Sequence, residues 1–145
     1  SKMDNVELVC VADIKEDRAK ARAEAFGCAY TTDWKEFITR DDIDVVHICT
    51  PHYLHAPMAI ALLDAGKRVL TEKPMASEVA DAEEMIRHSG GHLGVVFQNR
   101  YNEASQIIRQ SIADGRYGKL LALRAAVNWH RTAGAENSLP RAAAC

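Results

Sequence analysis

Short β-branched runs alternate with longer helix-forming stretches along this 145-residue chain, the pattern of parallel strands joined by helical crossovers. Val6 to Ala12 (VELVCVA) is one such run, ending at Asp13. Lys15 to Phe26 follows, rich in Ala, Lys, Glu and Arg, and Gly27 stands where a helix stops. A short strand is expected over Cys28 to Tyr30, then a small helix through Ile38 with Asp33 as its N-cap. Asp44 to Cys49 reads as a buried strand broken by Thr50-Pro51, and Leu54 to Ala65 carries apolar residues at helical spacing up to Gly66. Arg68 to Glu72 is the next strand, closed by Pro74, and Ser77 is placed as N-cap of a helix reaching His88. Beyond the Gly90-Gly91 turn come a strand over His92 to Gln98 and a helix over Asn102 to Ala113, ended by Asp114-Gly115. Leu120 to Asn128 alternates as a strand with one covered face would.

Each crossover is long enough to hold one helix, as parallel neighbours require. The predicted fold is therefore α/β, a doubly wound parallel sheet. Such sheets take ligands outside the carboxyl ends of their strands. The residues at those ends are Asp13, Thr50-Pro51-His52, Glu72-Lys73-Pro74 and Gln98-Asn99-Arg100. Polar clusters at successive strand ends are hard to explain as core packing.

Composition narrows the possible partners. A formal net charge of -2 gives no electrostatic reason to expect nucleic acid or an anionic membrane surface. No stretch approaches the roughly 20 apolar residues of a membrane-spanning helix, and Ser1-Lys2-Met3-Asp4-Asn5 does not read as a signal peptide. Cys10, Cys28, Cys49 and Cys145 lie far apart without a CxxC pair, which argues against zinc. Cys10 and Cys49 fall inside apolar runs, where cysteine serves as a small hydrophobe. His52 and His55 lack a third ligand at credible spacing, so no metal is expected. A reducing cytoplasm is the default compartment.

Thr50-Pro51 followed by Leu54-His55, then Ala65-Gly66-Lys67, Glu72-Lys73-Pro74 and Asn99-Arg100-Tyr101-Asn102 form a specific series. Over about Val6 to Asn128 it resembles the dinucleotide-binding domain of the glucose-fructose oxidoreductase, inositol dehydrogenase and MocA family. The resemblance implies a Rossmann-like fold and an NAD(P)-dependent oxidoreductase, moving a hydride between nicotinamide and a hydroxyl of a sugar, polyol or related small molecule. It also implies a homo-oligomeric parent enzyme.

Site roles follow on that basis. A carboxylate at Asp13 can accept hydrogen bonds from adenosine ribose hydroxyls and repels a 2′-phosphate, favouring NAD, while Lys15 leaves NADP open. The plainer alternative is that Asp13 merely begins the next helix. By resemblance the loop of Thr50, Pro51, His52 and His55 lines the cofactor, with His55 toward the nicotinamide ribose. Lys73 is the expected catalytic residue: oxidising an alcohol requires the hydroxyl proton to leave, and an amine beside a cationic nicotinamide can guide that loss. Glu72 would hold Lys73 or contact the ribose, and Pro74 ends the strand and sets the turn. Without these neighbours Lys73 would read as an ordinary exposed lysine. Arg100 and Tyr101 are candidate substrate contacts or domain-contact residues, and Trp129-His130-Arg131 is similar to a segment bordering the active site in some members.

Two departures from the family are expected to matter. The family opens with a strand and a GxGxxG turn, and this chain shows neither; it reads as beginning at the end of the helix after that turn. Residues 1–119 are read as a partial dinucleotide-binding domain. Residues 120–145 are read as the start of the family's C-terminal sheet domain plus a tail after Arg131 that lacks periodicity. A truncated or frameshifted reading frame would explain both ends. The strand absent here lies centrally in the Rossmann order, so the strands at 6–12 and 45–49 should either pair directly or leave a gap. The diphosphate would also lose its cradle at a helix amino end, so this chain alone is expected to bind NAD weakly or not at all. The competing readings are a non-catalytic scaffold with a binding or regulatory role, and an inactive truncated gene product.

Overall fold

The structure, a computed structural model, describes residues 4–126 and 128. They divide into two compact units between Val96 and Phe97, ahead of the division after residue 119 read from the sequence. The segment Trp129-His130-Arg131 and the tail beyond it lie outside the described residues.

The first unit alternates strand and helix: β1 (Cys10–Ala12), α1 (Glu16–Phe26), β2 (Ala29–Thr31), α2 (Glu36–Thr39), β3 (Val45–Ile48), α3 (His55–Asp64), β4 (Arg68–Thr71), α4 (Val79–Ser89) and β5 (Leu93–Val95). Every strand pairing is parallel. The pairs fall into two sheets, β1-β2 and β3-β4-β5, and β1 does not pair with β3. Of the two arrangements expected for these strands, the gap is the one observed. No segment of the described residues inserts between them as a strand.

The core explains the register. Val46 and Ile48 of β3 and Val69 of β4 point to one side, against Ala56, Ala59, Leu62 and Leu63 of α3 and Met85 of α4. Leu62 and Met85 are wholly buried. Alternate residues on the other side of the same strands, Val45 (53% exposed) and Leu70 (36%), reach solvent, as does His47. The strand at 45–48 thus has one buried face, where the sequence reading made it buried throughout. Its period of two is that of a half-covered strand.

Helix ends follow local chemistry at some positions and depart from it at others. Gly27 ends α1 at φ 67°, ψ 36°, and its N–H bonds to the Ala23 carbonyl, a left-handed cap that a residue with a Cβ adopts only under strain. Gly90 closes α4 in the same left-handed region, as the Gly90-Gly91 turn required. Asp33 does not cap α2 directly. Its Oδ1 accepts from the Lys35 N–H at 3.0 Å, stabilising the turn before the helix. Ser77 is not the N-cap of α4; extended Glu78 (φ -120°, ψ 151°) holds that position and makes no side-chain cap.

Strands are shorter than their apolar runs. Val6 to Val9 stays outside β1, although the Val9 carbonyl accepts from Ala29 N–H at 3.0 Å. β5 likewise covers only part of its expected segment, whereas β2 keeps its expected length and is shifted one residue on. A ladder extends only where a neighbour supplies donors and acceptors, and β1 has a neighbour on one side only.

In the second unit, a 3-10 turn at Gln98–Tyr101 leads into α5 (Glu103–Ala113), with Asn102 at its N-cap. Residues 120–126 form no strand, contrary to the sequence reading, and Leu120, Leu121 and Leu123 are exposed at 51%, 87% and 80%. Alternating hydrophobicity makes a strand only where backbone partners exist.

Candidate active site

Within the first unit, the carboxyl ends of β1, β3 and β4 carry Asp13, the Thr50–His55 segment and the Glu72–Pro74 turn. Asp13 stays in reach of β2 through its N–H, which donates to the Thr31 carbonyl at 3.3 Å. Its Oδ1 accepts the Lys15 N–H at 3.0 Å. Its Oδ2 lies 3.2 Å from the Arg18 guanidinium, whose side chain is 65% exposed. The carboxylate is thus held at the strand end with an exposed cation beside it. Arg18 carries no motif in the sequence, and only the helical offset from Asp13 could have suggested it.

The ladder between β3 and β4 continues one step past the strands, with Glu72 N–H donating to the Ile48 carbonyl at 2.9 Å. That bond fixes where the next turn begins. Lys73 is exposed, and its N–H donates to its neighbour's carboxylate, Glu72 Oε2, at 3.2 Å. The Lys73–Pro74 bond is cis. Pro51 leads into a 3-10 turn at His52–Leu54, with the Leu54 N–H donating to the Pro51 carbonyl at 2.9 Å. Thr50 Oγ1 lies 3.4 Å from the Met58 sulfur.

His55 differs from the other candidates in being enclosed. Its ring is wholly buried, with Nδ1 2.8 Å from the Pro74 carbonyl oxygen and Nε2 2.9 Å from that of Thr50. Both nitrogens are therefore occupied by backbone, a different environment from the ribose-facing one expected. His52 is exposed, its ring 5.7 Å from that of His55 at 69°. Cys49, read as a small core hydrophobe, is instead exposed at the end of β3. Partial desolvation pushes its thiol up from the ordinary value, and the Glu72 carboxylate adds to the rise. Such a thiol is protonated near neutrality and a poor nucleophile. Cys10 is half-buried, and burial, opposed by Arg40, raises its thiol as well.

In the second unit the Arg100 guanidinium stacks 5.7 Å from the centroid of the Phe97 ring, and Tyr101 is 81% exposed. A depression lined by Asp41, Asp44, Lys67, Arg68 and His92 lies at the opposite, amino ends of β3, β4 and β5. Among the described residues no group of three or more His, Cys, Asp or Glu is placed to hold a metal ion. None of their helices is long and apolar enough to cross a membrane.

The polar strand ends of a parallel α/β unit coincide with a known family. Residues 1–99 match the model of the glucose-fructose oxidoreductase, inositol dehydrogenase and MocA group, described as an oxidoreductase family with an NAD-binding Rossmann fold. The chain belongs to this family. It is 38% identical over 117 residues to 4-carboxy-2-hydroxymuconate-6-semialdehyde dehydrogenase of Sphingobium sp., covering 78% of this chain and 37% of that protein. It is 34% identical over 134 residues to inositol 2-dehydrogenase of Rubrobacter xylanophilus, covering 89% of this chain and 38% of that protein. Among solved structures, the WlbA dehydrogenase of Bordetella pertussis in complex with NADH and UDP-GlcNAcA superposes with a TM-score of 0.75 at 30% identity. That match covers 80% of this chain and 34% of the other. The chain thus spans a little over a third of the length of these relatives. The α/β Rossmann fold, the family and its NAD-binding character, each expected from the motif series, agree with these matches.

Proposed function

We propose that the chain contributes the adenosine-ribose and nicotinamide ends of the site of a cytoplasmic NAD-dependent dehydrogenase acting on a sugar, polyol or related hydroxylated small molecule. One observation carries the reading: Lys73 is exposed at the carboxyl end of β4, on a turn fixed by the Glu72–Ile48 bond, inside the family-matched residues. The donor set suits the cofactor in part. Asp13 offers carboxylate oxygens at the end of β1, with only one main-chain donor and one cation engaged. No glycine-rich turn opening a helix accompanies it among the described residues.

Bound nicotinamide supplies hydride-transfer chemistry; the chain's residues supply position and proton control. Asp13 accepts hydrogen bonds from ribose hydroxyls. Its charge opposes a 2′-phosphate, while Arg18 offsets that charge enough to leave NADP a weaker alternative. Thr50, Pro51 and His52 line the cofactor, and Glu72 orients the lysine turn. Lys73 takes the proton that leaves the substrate hydroxyl during oxidation and returns it during reduction. Arg100 and Tyr101 are proposed for the substrate. Residues 1–119 act as the partial dinucleotide domain and 120–145 as the beginning of the sheet domain, within a homo-oligomer that engages no nucleic acid. Alone, the 145-residue chain binds NAD weakly or not at all; low-micromolar binding by calorimetric titration would contradict that.

The test of turnover grafts the matched residues into the Rubrobacter xylanophilus relative in place of the corresponding segment. With sugars and polyols offered as substrates, Lys73→Met should lower kcat roughly 10²- to 10⁴-fold while NADH still binds. Unchanged turnover in the Lys73→Met graft would remove Lys73 from the chemistry.

A further inference from the structure

The buried ring of His55 faces two acceptors and no donor. Nδ1 lies 2.8 Å from the Pro74 carbonyl oxygen, and Nε2 lies 2.9 Å from that of Thr50. A neutral imidazole carries one N–H and one lone pair, so it can satisfy only one of these carbonyls. Its other nitrogen would then face a carbonyl lone pair at hydrogen-bond distance, in a site closed to water. Only the imidazolium supplies two N–H donors, and both separations fall in the range of charge-assisted bonds.

We propose that His55 is a positioning residue, held as the imidazolium, that ties the segment after β3 to the turn carrying Lys73 by donating one N–H to each. The two acceptors belong to different strand ends, five residues before His55 and nineteen residues after it. One rigid planar ring therefore sets the spacing between the Thr50-Pro51 segment and Lys73-Pro74. Losing one proton gives up one of the two ties. The surrounding titratable groups are His52 on the adjoining turn, Cys49 beside Thr50, and Glu72 and Lys73 beside Pro74. This assignment stands on the chain's own geometry and does not depend on NAD binding.

The test is a long-range proton–nitrogen correlation spectrum of the ¹⁵N-labelled 145-residue chain at neutral pH without cofactor. The expected result is a histidine signal with protons on both ring nitrogens that is lost in His55→Leu, while those of the other five histidines persist. A His55 with a single protonated nitrogen, or one indistinguishable from the other five because the ring is solvated, overturns the proposal. A second readout is amide exchange in His55→Leu. Exchange at Glu72, whose N–H makes the last ladder bond before the lysine turn, should rise roughly tenfold, the equivalent of one lost hydrogen bond, while Val69 and Leu70 in β4 change less. Equal acceleration at all three positions would show a general loss of packing, and the positioning role would fall.

Discussion

Lys67 offers the sharpest test of how the first unit is held together. It is half-buried at the entry to β4, and its Nζ donates to the carbonyls of Arg40 at 2.5 Å and Ile43 at 3.1 Å. Arg40 ends α2, and Ile43 lies in the core two residues before β3. One ammonium thus pins the α2–β3 connection to the start of β4. The perturbation is Lys67→Met, which keeps the stem and removes the donors. A hydrogen bond to a charged group contributes about 1.5–3 kcal/mol. Water can reach part of this site and rehydrate the carbonyls, so the pair together should be worth about 1–3 kcal/mol.

Set against a typical domain stability of about 5–15 kcal/mol, that loss is readily measured. The assay is urea unfolding followed by circular dichroism, with the m-value checked for constancy. The control is Arg87→Met, which removes the exposed Arg87–Glu84 pair and should shift the midpoint far less. If Lys67→Met unfolds at the wild-type midpoint, or no earlier than Arg87→Met, then the half-buried ammonium does not bridge the two segments.

Three further outcomes are expected. Met85→Ala, at a wholly buried residue of α4 packed toward α3, should cost about 2–5 kcal/mol in the same assay; a smaller loss would mean the site collapses around the cavity. Cys49 should react with iodoacetamide more slowly than a free thiol at neutral pH, and Glu72→Gln should speed the reaction roughly two- to fivefold by removing a neighbouring negative charge; an unchanged rate would separate the two groups. The Asp42 carboxyl is held below its ordinary value chiefly by its hydrogen bond to Arg40, and that of Glu84 by Arg87. For a depressed carboxylate the stabilisation is present above the unfolded value and lost as pH falls through the folded one. Thermal stability should therefore drop below about pH 4, and the Arg40→Ala, Arg87→Ala double variant should flatten that limb.

The order of elements was legible because it rests on local signals. Gly27 and Gly90 mark helix ends by their left-handed backbone, and the β-branched runs mark strands wherever a neighbour exists. The strand-end positions of the candidate residues were legible for a similar reason: in a parallel sheet the residues after each strand come out at the same end. What failed depended on partners. Val6–Val9 and 120–126 have strand-like sequences without the neighbours to complete a ladder, and Ser77 was one residue out of place for the cap.

His55 shows a deeper limit and a consequence for the site. In the sequence it belongs to the motif series, and by resemblance it faced the nicotinamide ribose. The fold instead encloses it, because the segments before α3 and after β4 converge from opposite sequence directions onto one ring. The exposed and buried histidines of the same short segment thereby acquire different tasks: His52 is free to meet a ligand, and His55 is committed to the backbone. Lys73 inherits its position from both neighbours of its turn, through the Glu72 ladder bond on one side and the Pro74 carbonyl on the other. The role proposed for Lys73 needs a fixed backbone beneath an exposed side chain, and this arrangement supplies both. Removing either anchor should alter where Lys73 points without touching Lys73 itself, which is why the ring-proton spectrum of His55 and the turnover of Lys73→Met interrogate separate parts of one site.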